Sequence, residues 1–399
     1  VGPAAARGRD TTMLQEILAE TETRLSQDLC HQPEVEAALR EVLATTSMDL
    51  GEQETALLQA NRNVELKQNL FGPNDYRTAM AVALVGRITM YKGDFAKSDS
   101  LLSWAEAQVS EQLGSGSIKA LEVRAWQLET LTFAGQVDQA SKLAGNILKL
   151  KEGTEHWGDD VTNMTLFLLA QIRAEQQRYA EADSLHNLVI PMLVAKLGPD
   201  HPNTLSARVS HGLTLTYAGR LEEAERINLA TMADLRRVMG NEHQETQAAM
   251  NNLAITYNRM NQPEKAEALY RDMLEISERT MGPLHPEHLA GVVNLSTFMR
   301  RNGRCEESIE VADAALDGFH RGVGDDFVGC GYALLNRASC LQELGRYAEA
   351  IIDFEECHRV FTLIYGPEDQ RSRNAAEQLT LIHEELGDLE EAAKWRKLK

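Results

Sequence analysis

The chain has 399 residues, 43% of them hydrophobic but only 6% aromatic, and 60 acidic against 40 basic side chains give a net charge of −20. A surface of that sign repels nucleic acid and anionic membranes, so neither is an expected partner. The longest apolar stretch, Met164 to Ala170, is far short of the roughly 18 residues a bilayer span needs.

The first residues, Val1 to Arg9, have neither an initiator methionine nor an apolar signal core and read as an internal boundary of a longer protein. Thr11 to Asp28 then reads as one helix with Leu14, Ile17, Leu18 and Leu25 on a single side. Residues 1–32 are therefore expected to form a capping helix over the first apolar face of residues 33–399, or a connector to an upstream domain, or both.

From there a fixed period takes over. Steps of 42 residues from Gly51 reach Gly93, Gly135, Gln177, Gly219, Asn261, Gly303, Gly345 and Gly387, seven glycines in nine positions. Five residues past each comes Ala56, Ser98, Ala140, Ala182, Ala224, Ala266, Ser308, Ala350 or Ala392, always a small side chain. A second ladder in the same period runs Gly72, Gly114, His156, Gly198, Gly240, Gly282, Gly324 and Gly366.

Around Asn261 the cause is plain. Met250, Leu253, Ala254 and Tyr257 mark one helical face before it, and Ala266, Leu269, Tyr270 and Met273 mark another after it. Glycine or asparagine between them suits the left-handed residue that ends a helix, and Pro263 suits the first turn of the next. The small residue lets the two helices of a hairpin approach closely. Such hairpins bury a core only by stacking, so residues 33–399 are expected to form an all-α, right-handed superhelical solenoid of about nine helix-turn-helix units. Helices are expected near 34–50 and 52–70 and at every 42 residues thereafter, with a shorter one from about Leu389.

The core Gly345-Arg346-Tyr347-Ala348-Glu349-Ala350 resembles the tetratricopeptide repeat, and the 42-residue period resembles its kinesin-light-chain type. So do the linkers Leu197-Gly198-Pro199-Asp200-His201-Pro202, Met239-Gly240-Asn241-Glu242-His243 and Met281-Gly282-Pro283-Leu284-His285-Pro286. Glu155-His156-Trp157-Gly158 and Gly324-Asp325-Asp326 depart from that linker and are expected to bend differently. The segment Gly8 to Leu14, with Leu29 to Ala37, resembles the stretch joining a bacterial serine/threonine protein kinase to a C-terminal repeat array. This resemblance implies a kinase, and a transmembrane helix, upstream of Val1.

No phosphate loop, kinase catalytic element or nucleophile elbow occurs in the chain, and His383-Glu384-Glu385-Leu386 lacks the second histidine of a zinc protease. His285 and His288 read as turn chemistry rather than a metal pair. Cys30, Cys305, Cys330, Cys340 and Cys357 contain no CxxC pair and read as buried thiols, which favours a reducing compartment and a cytoplasmic fragment. The expectation is a noncatalytic chain with no cofactor and no metal.

Binding is better supported. The position nine before the turn residue holds Asn252, Asn294 and Asn336 in three successive repeats, flanked in the same register by Ser210 and Gln378. Asparagine is a poor helix former. Three in register either offer amides to the backbone of an extended peptide in a concave groove or bond one repeat to the next. Arg259, Arg300 and Arg301 lie nearby, either as groove cations for an acidic or C-terminal carboxylate ligand or as solvated last-turn cations. Arg87, Trp126, Phe167 and Tyr217 give the earlier repeats an aromatic-leaning surface, with Trp126 and Phe167 expected in the core.

Together these features point to a protein- or peptide-binding scaffold, the sensor or recruitment region of a bacterial serine/threonine kinase. The alternatives are the ligand-sensing tail of a signal-transduction ATPase or transcription activator, and a structural solenoid that self-associates.

Overall fold

The computed structural model describes residues 31–154 and 158–398. The helix expected over Thr11 to Asp28 lies outside the described residues, as does the departing linker at 155–157. Among the described residues there are eighteen α-helices and no strand. In chain order they are α1 (Pro33–Leu50), α2 (Gln53–Phe71), α3 (Tyr76–Tyr91), α4 (Phe95–Leu113), α5 (Ile118–Phe133), α6 (Val137–Lys151), α7 (Asp160–Glu175), α8 (Tyr179–Leu197) and α9 (Pro202–Tyr217). They continue as α10 (Leu221–Val238), α11 (Gln244–Arg259), α12 (Pro263–Met281), α13 (Pro286–Arg301), α14 (Cys305–Gly322), α15 (Val328–Glu343), α16 (Tyr347–Tyr365), α17 (Gln370–Glu385) and α18 (Leu389–Trp395). A short 3-10 turn, Arg396–Leu398, comes last. The architecture is an all-α repeat solenoid, and the chain divides into two compact units, Val1–Asn252 and Leu253–Lys399.

Each turn within a hairpin is closed by a left-handed residue at the position the 42-residue ladder marks. Gln177 and Asn261, where the glycine is missing, still adopt φ of 59° and 58°. The side chain on those two residues is strained there, because only glycine enters this region without steric conflict. The small residues five further on are buried at all nine positions, from Ala56 to Ala392. A larger side chain would push the two helices apart.

The core lies between helices in sequence order. In the first unit, Leu121, Ala125 and Leu128 of α5, Ala140, Ala144 and Ile147 of α6, and Leu168, Leu169 and Ile172 of α7 form one cluster. In the second, Ala338 and Leu341 of α15 pack with Ala350 and Phe354 of α16 and with Leu379 and Ile382 of α17. Contacts this local need little chain closure, the usual economy of a stacked array.

Two devices link neighbouring hairpins. A hydroxyl six residues past the linker glycine donates to that glycine's carbonyl at Thr78–Gly72 (2.8 Å), Thr204–Gly198 (2.9 Å), Thr246–Gly240 (2.7 Å) and Ser372–Gly366 (2.9 Å). Cys330 replaces the hydroxyl beside Gly324, at 3.6 Å. That linker also lacks a side-chain cap at Phe327, so this junction does differ locally, although its helices keep the period. Arginines at the start of second helices reach back a repeat, as in Arg220–Asp183 (2.5 Å) and Arg304–Glu267 (2.6 Å).

Candidate peptide-binding surface

The register position nine before each turn residue lies on the first helix of a hairpin, and its chemistry changes along the chain. It is Val42, Leu84, Trp126, Leu168, Ser210 and Asn252 in the first unit, then Asn294, Asn336 and Gln378 in the second. The period brings these residues to equivalent faces. It does not set how deep each one sits.

In the second unit Asn336 is buried. Its Nδ2 donates to the Thr297 hydroxyl (2.8 Å) and the Val293 carbonyl (3.3 Å), and its Oδ1 accepts from Nε of Arg300 (3.1 Å). Asn252, in the first unit, is buried too, and its Nδ2 donates to the Val209 carbonyl at 3.1 Å. Both amides therefore tie a first helix to the first helix before it, α15 to α13 and α11 to α9. Asn294 differs, being exposed and having no hydrogen bond from its amide among the described residues.

Ser210 and Gln378 are half-buried. Arg300, half-buried, is engaged with Asn336, whereas Arg259 and Arg301 are exposed on the last turns of α11 and α13. In the same unit Tyr332 and Asn374, each one turn before the register position of its own helix, are exposed.

The first unit carries a different surface. Trp126 and Phe167, expected in the core, are only half-buried. Trp126 sits at the register position itself; it packs against the Ala79 and Val123 cluster and also lines a depression of about 610 Å³. Phe167 contributes to two adjacent core clusters. Tyr217 is exposed and stacks on Tyr179 with centroids 6.2 Å apart.

Arg87 is not a free groove cation. Its Nε donates to Glu129 one repeat on, at 3.2 Å, and its guanidinium lies 5.4 Å from the Trp126 ring centre. Burial, with Glu129 next in weight, pushes the Tyr91 hydroxyl up to about 12, and that hydroxyl donates to Glu129 at 3.0 Å.

The histidine and cysteine expectations can be placed as well. His201, His243 and His285 are helix N-caps, with Nδ1 accepting from the backbone amides of Asn203, Glu245 and Glu287. His288 contacts the Ser277 hydroxyl at 2.9 Å. Cys305, Cys330, Cys340 and Cys357 are buried free thiols, and burial pushes Cys357 up to about 12. No cluster of metal-binding side chains occurs among the described residues. No helix among them is long and apolar enough to cross a membrane.

Sequence and structure comparisons agree with the repeat fold. The family model described as tetratricopeptide repeat matches residues 161–233, 210–279 and 330–395. No curated protein matches the sequence at a significant level. Among solved structures, a Rap protein complexed with competence and sporulation factor is 13% identical, with a TM-score of 0.60 over 91% of this chain and 96% of that one. The apo form of RapI is 10% identical, with a TM-score of 0.57 over the same shares. Kinesin light chain TPR-like repeats from Podosopora anserina are 20% identical over 50% of this chain and 94% of that one, with a TM-score of 0.44. At these identities the two Rap structures show a shared fold.

Proposed function

From the premise that this is a chain of tetratricopeptide repeats, we propose that it is a noncatalytic scaffold that holds an extended segment of a protein or peptide against the first helices of its hairpins. The observation that carries this reading is Asn294. Its amide occupies the register of Asn252 and Asn336 yet is exposed and bonded to nothing among the described residues. A poor helix former on a helix face is accounted for when a ligand backbone supplies the missing donor and acceptor. The shared fold of a Rap protein solved with competence and sporulation factor supports the reading at the level of architecture.

Exposure sorts the candidates. Asn294, Gln378, Arg301 and Arg259 are the binding candidates of the second unit, and Ser210 is a candidate of the first. Asn252, Asn336 and Arg300 set the geometry from behind. Arg301, exposed on the last turn of α13, is the candidate cation for an acidic or C-terminal carboxylate. The kinase assignment rests on the resemblance of residues 8–37. It is tested by reading upstream of Val1, where a kinase catalytic loop would support it and a phosphate loop would favour the ATPase alternative.

The binding test is a random-peptide display screen against the chain. Selected peptides are expected to lose at least about tenfold in affinity, roughly 1.4 kcal/mol, to Asn294→Leu while melting stays unaltered. Undiminished affinity in that variant removes the asparagine face from the account.

A further inference from the structure

We propose that the depression between α1, α2, α3 and α5 is, within the first unit, an anchor pocket for one uncharged apolar side chain, aliphatic or aromatic, of a peptide ligand; this deepens the peptide-binding reading and rests on it. Its volume of about 610 Å³ falls in the range of cavities that enclose small ligands. Its walls are Leu70 and Phe71 at the end of α2, Met80 and Leu84 on α3, and Trp126 on α5. Leu84 and Trp126 hold the register position that carries asparagine in later repeats. The first helices thus present apolar surface here where the second unit presents amides.

The charges at the mouth decide what the pocket accepts. Lys67 is paired with Glu41 at 2.6 Å, Arg77 with Asp75 at 2.8 Å, Lys119 with Glu122 at 2.9 Å and Arg87 with Glu129 at 3.2 Å. Arg77 is further fixed over the Phe71 ring, 3.6 Å from its centre. A ligand carboxylate gains a cation only by displacing a carboxylate already in place, and a ligand ammonium finds only Glu34, exposed at the mouth and without an ion pair among the described residues, where a solvent-exposed pair is worth little. An apolar group displaces only water from Met80, Leu84 and Trp126, and the ion pairs form the polar rim that such an anchor needs.

Trp126 supplies the readout. The chain has four tryptophans, so 5-fluorotryptophan labelling gives a simple fluorine spectrum in which the Trp126 signal is the one lost in Trp126→Phe. The probes are the N-acetyl methylamides of leucine, phenylalanine, glutamate and lysine. The leucine and phenylalanine probes should shift the Trp126 signal saturably, with a Kd of about 1–10 mM, the range that burial of one side chain supports. The glutamate and lysine probes should bind at least about fivefold more weakly, a difference near 1 kcal/mol.

Met80→Glu, which places a charge on the pocket wall, should abolish the response. Ala38→Trp, at an exposed rim position, should do the same by filling the space, and keeps the test valid if Met80→Glu fails to fold. An equal response to the charged probes, a response that survives in the folded variants, or no saturable shift overturns the pocket. Display-selected peptides that depend on Asn294 but leave the Trp126 signal unmoved would retain the scaffold reading and remove this one.

Discussion

Nε of Arg300 donates to Oδ1 of Asn336 at 3.1 Å, and the same amide passes its own hydrogens to Thr297 and to the Val293 carbonyl one repeat back. Three groups of α13 therefore depend on one buried side chain of α15. Asn336→Leu removes all three bonds; the Thr297 hydroxyl still donates to the Val293 carbonyl at 2.9 Å, so the half-buried Arg300 guanidinium is the group left without this partner, and a loss of this kind costs about 1–3 kcal/mol. Asn294→Leu, at the equivalent but exposed position, should stay within about 0.5 kcal/mol of wild type. Urea unfolding of the two variants checks the contrast. Equal losses would mean that burial does not separate these asparagines.

The turn residues give a prediction of opposite sign. Gln177 holds φ of 59° at a place where seven of nine repeats have glycine. A side chain in the left-handed region costs roughly 1–2 kcal/mol, and glycine returns part of that to unfolded-chain entropy. Gln177→Gly should therefore stabilise the chain by about 0.5–1 kcal/mol. Asn261→Gly should gain less, because asparagine tolerates this conformation better. A fall in melting temperature for Gln177→Gly would contradict the strain argument.

The architecture is legible in the sequence because its determinants are local and periodic. Glycine ladders mark the turns, the small residues mark the close helix crossings, and Met250, Leu253, Ala254 and Tyr257 are all buried as the spacing requires. The surface is only half legible. A 42-residue register names a helix face, but depth on that face depends on what the preceding helix offers. Val293, Thr297 and Arg300 draw Asn336 inward, whereas Asn294 meets no such set. The size of Trp126 argues for the core, yet the side chain is half-buried and borders a depression as well as a core cluster. The cross-repeat hydroxyls at Thr78, Thr204 and Thr246 carry a readable signal, a fixed six-residue offset from the linker glycine. Hydroxyls are common enough at helix starts that the offset does not stand out.

His186 makes the first unit acid-sensitive. It is fully buried on α8, Nε2 lies 3.3 Å from the Thr214 hydroxyl, and its ring stacks on His211 with centroids 5.2 Å apart. His211 is itself bound to Asp183 at 2.7 Å, and Asp183 to Arg220. Burial first, then the neighbouring His211, pushes His186 down to about 3, with Asp183 opposing. Above its ordinary value of 6.5 the ring is neutral in folded and unfolded chains alike, and its contribution is complete. As pH falls below 6.5 the unfolded chain takes the proton and the folded one does not, so stability declines by up to about 1.4 kcal/mol per pH unit toward pH 3. Asp183 adds to the same trend. Burial raises its carboxyl, but bonds from His211 and Arg220 outweigh this and hold it low, so its share too is lost on acidification. His186→Leu should flatten the slope of stability against pH between about 6 and 4. An unchanged slope in that variant would place the sensitivity elsewhere.

Lys151 is the largest test of packing against charge. It is 2% exposed at the end of α6, in a register that holds Val109, Leu193, Leu235, Phe319 and Phe361 in five other repeats and Lys67 and Ser277 in two. Its ammonium donates to Oδ2 of Asp159, whose Oδ1 accepts from the Thr162 amide and hydroxyl, both at 3.0 Å, and so caps α7. Burial raises the Asp159 carboxyl, yet the bonds from Lys151 and Thr162 prevail and keep it below the usual range. Removing the carboxylate leaves a buried ammonium unanswered, the worst outcome, so Asp159→Ala should lose about 3–5 kcal/mol. Lys151→Ala leaves a cavity and should lose about 2–4 kcal/mol, while Asp159 keeps its bonds to Thr162 and some solvent. Lys151→Leu gives this repeat the apolar side chain that five of the others have and should fall within about 1 kcal/mol of wild type, because well-packed hydrophobic replacements of buried ion pairs are often neutral or stabilising. Urea unfolding of the three variants ranks them. If Lys151→Leu proves as damaging as Asp159→Ala, the lysine is held for its charge and not for the volume it fills.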